Sequence, residues 1–140
     1  MVEPNKPPKR FVTAAEAIVD HLPWGPHYWL CHPGLVEAKN LLLVRVEMPP
    51  GQGHAFHRHD EMEEIIYVVS GRAEQWVDRE RRVLAPGEIA HIPIGVVHAT
   101  YNPFDEPMVF LAILSPNRLD GPPPADVSRE EPWRSLRTAE

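Results

Sequence analysis

Three histidines and one glutamate are the residues of this sequence best suited to bind a metal ion. His57 and His59 are two positions apart in a segment that reads as extended, so both imidazoles would lie on one face of a strand, about 6–7 Å apart. Glu64 follows a polar stretch that can turn the chain back to that face, and His98 begins another strand after a proline–glycine turn. Three imidazoles and a carboxylate suit a divalent transition metal and leave open positions on a six-coordinate ion.

Residue types and spacing leave two points about this ligand set open. Glu61 and Glu63 compete with Glu64 as the carboxylate ligand, and strand alternation does not exclude Glu63. The chain contains eight histidines, so one His-x-His pair is by itself weak support for metal binding. The four side chains can converge only if the sheet that carries them closes on itself.

The elements that must position these side chains are short strands. Seventeen prolines and eight glycines separate short apolar runs, a pattern typical of the strands and turns of a sandwich or barrel. No segment between the runs is long enough for the crossover helix of a parallel sheet. Strands are predicted at residues 28–31, 41–48, 54–59, 65–69, 73–77, 88–92, 97–102 and 108–114.

Short helices are expected on either side of the strands. Thr13 to Glu16 follow the capping-box pattern, which predicts a helix from Ala14 to Val19. Residues 128–137 can form a second helix with Trp133 and Leu136 on one face, and we expect Trp133 to anchor this tail on the body or on a partner subunit. Within the strand region, Ser70-Gly71 is predicted to join residues 65–69 and 73–77 into a hairpin.

Length and charge limit the classes of protein to consider. A chain of 140 residues is expected to form one domain, with an N-terminal extension at 1–40, a barrel core at 41–114 and a proline-rich tail at 115–140. The net charge of -6 argues against nucleic-acid binding. No run of about 18 apolar residues predicts a membrane helix. The single cysteine and the absence of an apolar leader favour the cytoplasm.

Two groups of residues resemble the two motifs of the cupin superfamily. The first motif has a glycine, five residues, H-x-H, three or four residues, a glutamate, six residues and a glycine. The second has a glycine, five residues, P-x-G, two residues, a histidine, three residues and an asparagine. Every defined position is matched, in the first motif by Gly51, His57, His59, Glu64 and Gly71, and in the second by Gly87, Pro93, Gly95, His98 and Asn102.

The resemblance, which covers about residues 41–114, implies a fold and a cofactor. The expected fold is an all-β, antiparallel double-sheet jelly-roll barrel of the small single-domain, metal-binding type, with a short N-terminal helix and a short C-terminal helical tail. One divalent ion (iron, manganese, nickel, zinc or copper) would be held by His57, His59, Glu64 and His98, since the spacing to Gly71 selects Glu64. A homodimer is also implied, because small cupins commonly pair through their outer strands.

Other polar residues are candidates for the surroundings of the ion. His54, His91, Thr100 and Arg118 are candidate pocket residues. Arg118 looks like the arginine that follows the last strand in cupins acting on unsaturated uronates. The acid and the aromatic residue of those cupins are replaced here by Ala112 and Leu114, which are expected to line an apolar wall. The larger aromatic residues are assigned to the core or a dimer contact: Trp24, Tyr28, Trp29 and Phe110.

Two functions from different classes fit this prediction. The favoured one is a metal-dependent enzyme acting on a small carbonyl- or carboxylate-containing molecule, as a dioxygenase, isomerase or lyase. The alternative is a non-catalytic module that binds a metal or a small ligand. The fold by itself does not choose between them.

Overall fold

The computed structural model describes residues 9–137, which fold into two antiparallel sheets packed face to face. One sheet has six strands in the order β1-β2-β3-β10-β5-β8, and the other has five in the order β11-β4-β9-β6-β7. This is the predicted double-sheet architecture. The strands are β1 Ile18–Leu22, β2 Gly25–Cys31, β3 Leu42–Met48, β4 Gly53–Arg58, β5 Glu63–Ser70, β6 Ala73–Val77, β7 Glu80–Leu84, β8 Ile89–Ile92, β9 His98–Tyr101, β10 Met108–Ser115 and β11 Ala125–Asp126.

The main core lies between the sheets and follows from strand alternation. In β3 and β10 every second residue is buried, because period two sends alternate side chains to opposite faces. The two strands pair antiparallel from Met48 and Met108 to Leu42 and Leu114. Their inward residues are Leu42, Val44, Val46, Met48, Met108, Phe110, Ala112 and Leu114.

The predicted N-terminal helix is only one turn long. The capping box is present, with the Thr13 backbone N–H and hydroxyl both donating to the Glu16 carboxylate at 2.9 and 3.0 Å. The 3-10 turn ends at Glu16, however, and residues 18–22 form β1. The expected helix to Val19 is therefore wrong, because pairing of Ile18 and Val19 with β2 overrides the local helix signal.

The predicted hairpin around Ser70-Gly71 is also wrong. β5 pairs with β10 and β8, whereas β6 pairs with β7 and β9 in the other sheet. Gly71 has φ of 74°, and a Cβ there would lie 2.5 Å from the Pro107 carbonyl oxygen. The glycine thus permits a tight corner that carries the chain from one sheet to the other instead of folding it back.

A second cluster covers the outer face of the five-stranded sheet. Trp133 and Leu136 of the short helix α1, Trp133–Leu136, pack against this cluster. Arg137 donates two hydrogen bonds to Glu74, at 2.7 and 3.1 Å. The prediction that Trp133 anchors the tail is confirmed, and the anchor is the body of the same chain. We call this region the outer cluster: Phe56, Trp76, Val97, Ala99, Val127, Tyr101, Trp133 and Leu136.

No helix within residues 9–137 has both the length and the apolar character needed to span a bilayer.

Candidate metal centre

The four predicted ligands come together between the sheets. His57 is on β4, His98 is on the neighbouring β9, and Glu64 reaches across from β5 of the opposite sheet. His59 lies just past the end of β4. One ligand atom from each of the four side chains lies within 4.8 Å of the others. Three of the side chains are almost fully buried: His57 is 4% exposed, Glu64 6% and His98 1%.

The backbone orients two of the imidazoles. His57 Nδ1 lies 2.7 Å from the Ala55 carbonyl oxygen, and His98 Nδ1 lies 3.0 Å from the Val96 carbonyl oxygen. A carbonyl oxygen only accepts hydrogen bonds, so both Nδ1 atoms carry the proton in the neutral tautomer. The Nε2 lone pairs therefore face the cluster, which is the arrangement that metal-binding histidines usually have.

The distances within the cluster suit a bound cation. Glu64 Oε1 lies 3.0 Å from His98 Nε2 and 3.4 Å from His59 Nε2. Ligands about 2.1 Å from one ion and roughly at right angles would be about 3.0 Å apart. Converging lone pairs and a carboxylate oxygen repel one another unless a proton or a metal ion lies among them. The donor set thus fits one divalent ion.

The structure separates the competing glutamates. Glu63 points to the outer surface, where its carboxylate contacts His91 Nε2 at 2.8 Å. Glu64 is the one that faces the histidines. Burial acts to raise the pKa of the Glu64 carboxyl, but hydrogen bonds that His59 and His98 donate when their Nε2 atoms carry protons outweigh it and hold that pKa well below its usual range. A metal ion bound among these atoms would take the place of those protons. Glu64 is therefore a carboxylate at neutral pH, and His91 lies away from the cluster.

A β-bulge brings His54 next to the predicted ligands. His54 pairs with Thr100 and His57 pairs with His98, so three steps along β4 oppose two along β9. The extra residue lets both histidines face inward while Phe56 packs in the outer cluster. The His54 and His57 rings stack with centroids 3.6 Å apart, and burial lowers the pKa of His54 to about 4. Strand alternation alone would have turned one of the two away.

Trp24 and His27 are cavity residues that the sequence analysis missed. Trp24 stacks on His54 at 4.3 Å, forming a three-ring stack with His57, and contacts His27 edge-on at 4.3 Å. It lies in the turn between β1 and β2, where Gly25 has φ of 138° and no room for a Cβ beside the Glu47 carbonyl. The run of proline and glycine around Trp24 was the signal that this tryptophan sits at a turn.

The cluster opens into a cavity of about 360 Å³. Thr100, Ala112 and Leu114 line it, and Arg118 lines it although its side chain is largely exposed. Trp24, Trp29 and Phe110, which were assigned to the core or a dimer contact, also line it. Residues 118, 119 and 121–124 of the tail supply another part of the wall. The apolar wall from β3 and β10 consists of Leu42, Val44, Val46, Phe110, Ala112 and Leu114.

The chain is similar in sequence to part of a longer enzyme. The chain is 26% identical over 98 residues to mannose-1-phosphate guanylyltransferase of Escherichia coli (strain K12), which covers 70% of this chain but 20% of that protein. The chain thus spans about a fifth of the length of this relative.

Two solved structures are similar over most of the chain. The structure of KdgF from Halomonas sp. matches with a TM-score of 0.70 and 25% identity, covering 80% of this chain and 97% of that one. The DMSP lyase DddQ from Ruegeria pomeroyi DSS-3 matches with a TM-score of 0.66 and 27% identity, covering 88% of this chain and 62% of that one.

A family model settles the relationship. The model described as the cupin domain matches residues 44–114, just over half of the chain. That range contains both sequence motifs in full, from Gly51 to Asn102, and all four predicted ligands. The chain belongs to the cupin family.

Proposed function

We propose that the protein binds one divalent transition metal ion through His57, His59, Glu64 and His98 and uses it to transform a small carbonyl- or carboxylate-containing molecule. The observation that carries this proposal is the orientation of His57 and His98. Both hold their Nδ1 protons against backbone carbonyls, which turns Nε2 toward the cluster, and His98 Nε2 lies 3.0 Å from the buried Glu64 carboxylate. Such an arrangement has a clear use only if a cation binds there.

The residues of the chain have separate tasks in this proposal. When bound, the ion would supply Lewis acidity toward a substrate oxygen or a site for oxygen binding. His57, His59, Glu64 and His98 would fix its position. The apolar wall around Val44, Phe110 and Leu114 would exclude water from the substrate, which strengthens electrostatic interactions in the cavity.

Metal content is the first test of this proposal. Imidazole accepts iron, manganese, nickel, zinc and copper, so the ligands do not select one ion. Protein purified without a histidine tag should contain close to one equivalent of such metals by elemental analysis, or take it up at neutral pH. A protein that binds no divalent ion under either condition would contradict the proposal.

Turnover is the second test, and the chain offers a matched control. His57→Ala should abolish metal-dependent turnover in a panel of sugar acids, keto acids and catechol-like compounds, with oxygen consumption recorded and the fold checked by circular dichroism. His91→Ala removes a histidine on the outer surface and should leave turnover unchanged. Tight metal binding without turnover across the panel would favour the non-catalytic binding module.

We also propose that the protein forms a homodimer through the outer face of the six-stranded sheet. Several apolar side chains there are at least one-third exposed, with Val19 at 45%, Tyr67 at 37%, Val69 at 45% and Ile89 at 51%. Pairing would cover this surface and shield edge strands. Light scattering should give twice the mass of one chain at micromolar concentration, and a monomer would refute the proposal.

A further inference from the structure

The cavity beside the candidate metal centre has very few groups that can bond to a polar ligand. The inner faces of β3 and β10 contribute only apolar side chains, and Ile66 and Met62 add to them. Apart from the four predicted ligands, the side chains with polar atoms on its wall within residues 9–137 are Trp24, Trp29, His27, His54, Thr100 and Arg118. The Trp29 indole N–H donates to the Asp20 carboxylate at 2.9 Å.

Most of that polar capacity is already used or lies at the rim. The Thr100 hydroxyl donates to Gln75 Oε1 at 2.6 Å, and His27 Nδ1 lies 3.0 Å from the Gly25 carbonyl oxygen. Arg118 is largely exposed. The His54 ring makes stacking contacts, and neither of its nitrogens has a hydrogen-bond partner among residues 9–137. The deep part of the cavity thus presents one or two polar positions to a ligand.

This shortage discriminates against polyhydroxylated ligands. Each hydroxyl that leaves water without finding a partner opposes binding, so a sugar chain with several hydroxyls would fit this wall poorly. An apolar body of similar size would lose nothing of this kind. A dry apolar cavity of about 150 Å³ accommodates one benzene ring, and this cavity has a volume of about 360 Å³, which includes the space over the metal ligands.

The charge of the site adds a second restriction. Among residues 9–137, the cavity is lined by one acidic residue, Glu64, and by one basic residue, the exposed Arg118. With a divalent ion and the Glu64 carboxylate, the inner site would carry a net charge of about +1. A ligand with a single negative charge at its metal-binding end would balance it, whereas a second carboxylate on the body would face only apolar side chains.

We propose that the ligand of this cavity is a compact apolar molecule, about one or two rings in size, with its metal-binding oxygens and a single negative charge at one end. The inference rests on the metal site proposed above and specifies the substrate class for it. The apolar wall would hold the body, and His54 would meet a further polar substituent near the metal-binding end.

Three hydroxamic acids that share a metal-binding head test this inference. Benzohydroxamic acid has an aromatic body, acetohydroxamic acid has a methyl group, and gluconohydroxamic acid has a polyhydroxylated chain. Binding to the zinc-loaded protein would be measured by calorimetry, with protein-bound zinc quantified before and after. We expect benzohydroxamic acid to bind at least about 10-fold more tightly than acetohydroxamic acid, since single methylenes in apolar pockets already give about 10-fold or more. Gluconohydroxamic acid should bind more weakly than either.

A pair of variants on β10 locates the effect in the cavity. Ala112 faces the cavity, whereas its neighbour Ile113 faces the outer surface. Ala112→Leu fills part of the volume and should weaken benzohydroxamic acid about 10-fold without changing zinc affinity. Ile113→Leu should leave both affinities unchanged.

The outcomes separate this inference from the proposed function. Gluconohydroxamic acid binding as tightly as benzohydroxamic acid to zinc-loaded protein would overturn the inference and leave the metal site standing. Equal binding of benzohydroxamic acid to metal-free and zinc-loaded protein would also overturn it, because the head would then not reach the metal. Failure of the protein to load zinc or any other divalent ion would instead overturn the proposed function. The head-matched comparison needs only the wild-type chain, so it stands even if Ala112→Leu fails to fold.

Discussion

Two buried glutamates on opposite sides of the five-stranded sheet have contrasting surroundings. Glu64 is 6% exposed and Glu74 is 1% exposed. Glu74 is surrounded by groups that can only donate hydrogen bonds: the Trp76 indole N–H at 2.7 Å and the Arg137 guanidinium at 2.7 and 3.1 Å. Glu64 instead faces the Nε2 atoms of His98 and His59, at 3.0 and 3.4 Å.

The difference distinguishes a structural carboxylate from one suited to a ligand role. A carboxylate whose lone pairs are met by fixed donors is satisfied within the chain, so Glu74 holds the tail onto the sheet. A carboxylate that faces neutral imidazole nitrogens requires a cation that the chain does not supply by itself. Whether a buried acidic residue is structural or suited to bind a metal ion is therefore shown by the hydrogen-bonding groups of its neighbours and not by its burial.

The largest expected effect is the loss of metal affinity when Glu64 is altered. Residues that only support a metal ligand already change affinity by about 10–100-fold, so we expect Glu64→Gln to weaken zinc binding on the order of 1,000-fold, measured by competition with a chromophoric chelator. Glu74→Gln, an equally buried replacement of the same type, should leave zinc affinity within about 3-fold. Similar losses in both variants would remove the distinction drawn between the two glutamates.

At the outer cluster, removing a partner of Glu74 should lower the free energy of unfolding and not the metal affinity. Arg137→Ala leaves the Glu74 carboxylate buried with only part of its compensation, since Arg81 lies 3.8 Å away. We expect a loss of about 3 kcal/mol in the free energy of unfolding in urea, the lower end for a broken buried ion pair. Arg134→Ala removes a neighbouring arginine that is 65% exposed and should cost less than about 0.5 kcal/mol. A small effect of Arg137→Ala would show that the tail is not held by this contact.

As the pH falls, the stability that neutral His27 contributes beside the cavity should be lost before the contacts of Glu74 in the outer cluster are lost. Burial lowers the pKa of His27 below 6.5, so the unfolded chain binds more protons than the folded one as the pH falls through 6.5, and stability decreases with falling pH. Burial also acts to raise the pKa of Glu74, but its bonds to Arg137 and Trp76 prevail and lower it, so that contact persists to pH values below 4.5.

This pH dependence can be measured in urea on metal-free protein between pH 7.5 and pH 5.5. His27 contributes at most about 1.4 kcal/mol for each pH unit, the limit for one proton. His27→Gln should therefore flatten the decline relative to wild type. An unchanged slope would mean that His27 does not stay neutral in the folded protein.

The smallest effect is expected for His91. Its contact with Glu63 lies on the surface, with both side chains about half exposed, and exposed ion pairs are worth about 0–1 kcal/mol. We expect His91→Ala to change the free energy of unfolding by less than about 0.5 kcal/mol and to leave zinc affinity unaltered. A measurable loss of zinc affinity in His91→Ala would contradict the assignment of His91 to the outer surface.

The parts of the fold that sequence analysis predicted are those with strong local signals. β3 and β10 were predicted because alternate burial requires a period-two pattern that is visible in the sequence. The convergence of His57, His59, Glu64 and His98 was expected from glycine and proline spacing that resembles a known family. Strand alternation did not separate Glu63 from Glu64, and only the family spacing to Gly71 selected Glu64; the facing of β5 in the structure separates the two.

The remaining errors arose where tertiary pairing overrides local signals. Ser70-Gly71 has the composition of a hairpin turn, yet the partner of β6 is chosen by contacts with β7 and β9. The helix predicted to reach Val19 gives way to strand pairing in the same manner. Trp24 was assigned to the core or a dimer contact, because no local pattern reveals that the turn it occupies lies over the cavity.

The bulge in β4 determines where this strand tolerates a change in its length. Because three steps along β4 oppose two along β9 between His54 and His57, deletion of Ala55 would leave two steps against two, and period-two alternation would keep both histidines on the inner face with Phe56 between them on the outer face. A single-residue deletion elsewhere in the strand would instead exchange the faces of all side chains on one side of the cut. Libraries that vary this cavity by substitution can therefore retain the barrel, whereas libraries that insert or delete residues in β4 outside the bulge would mostly lose it.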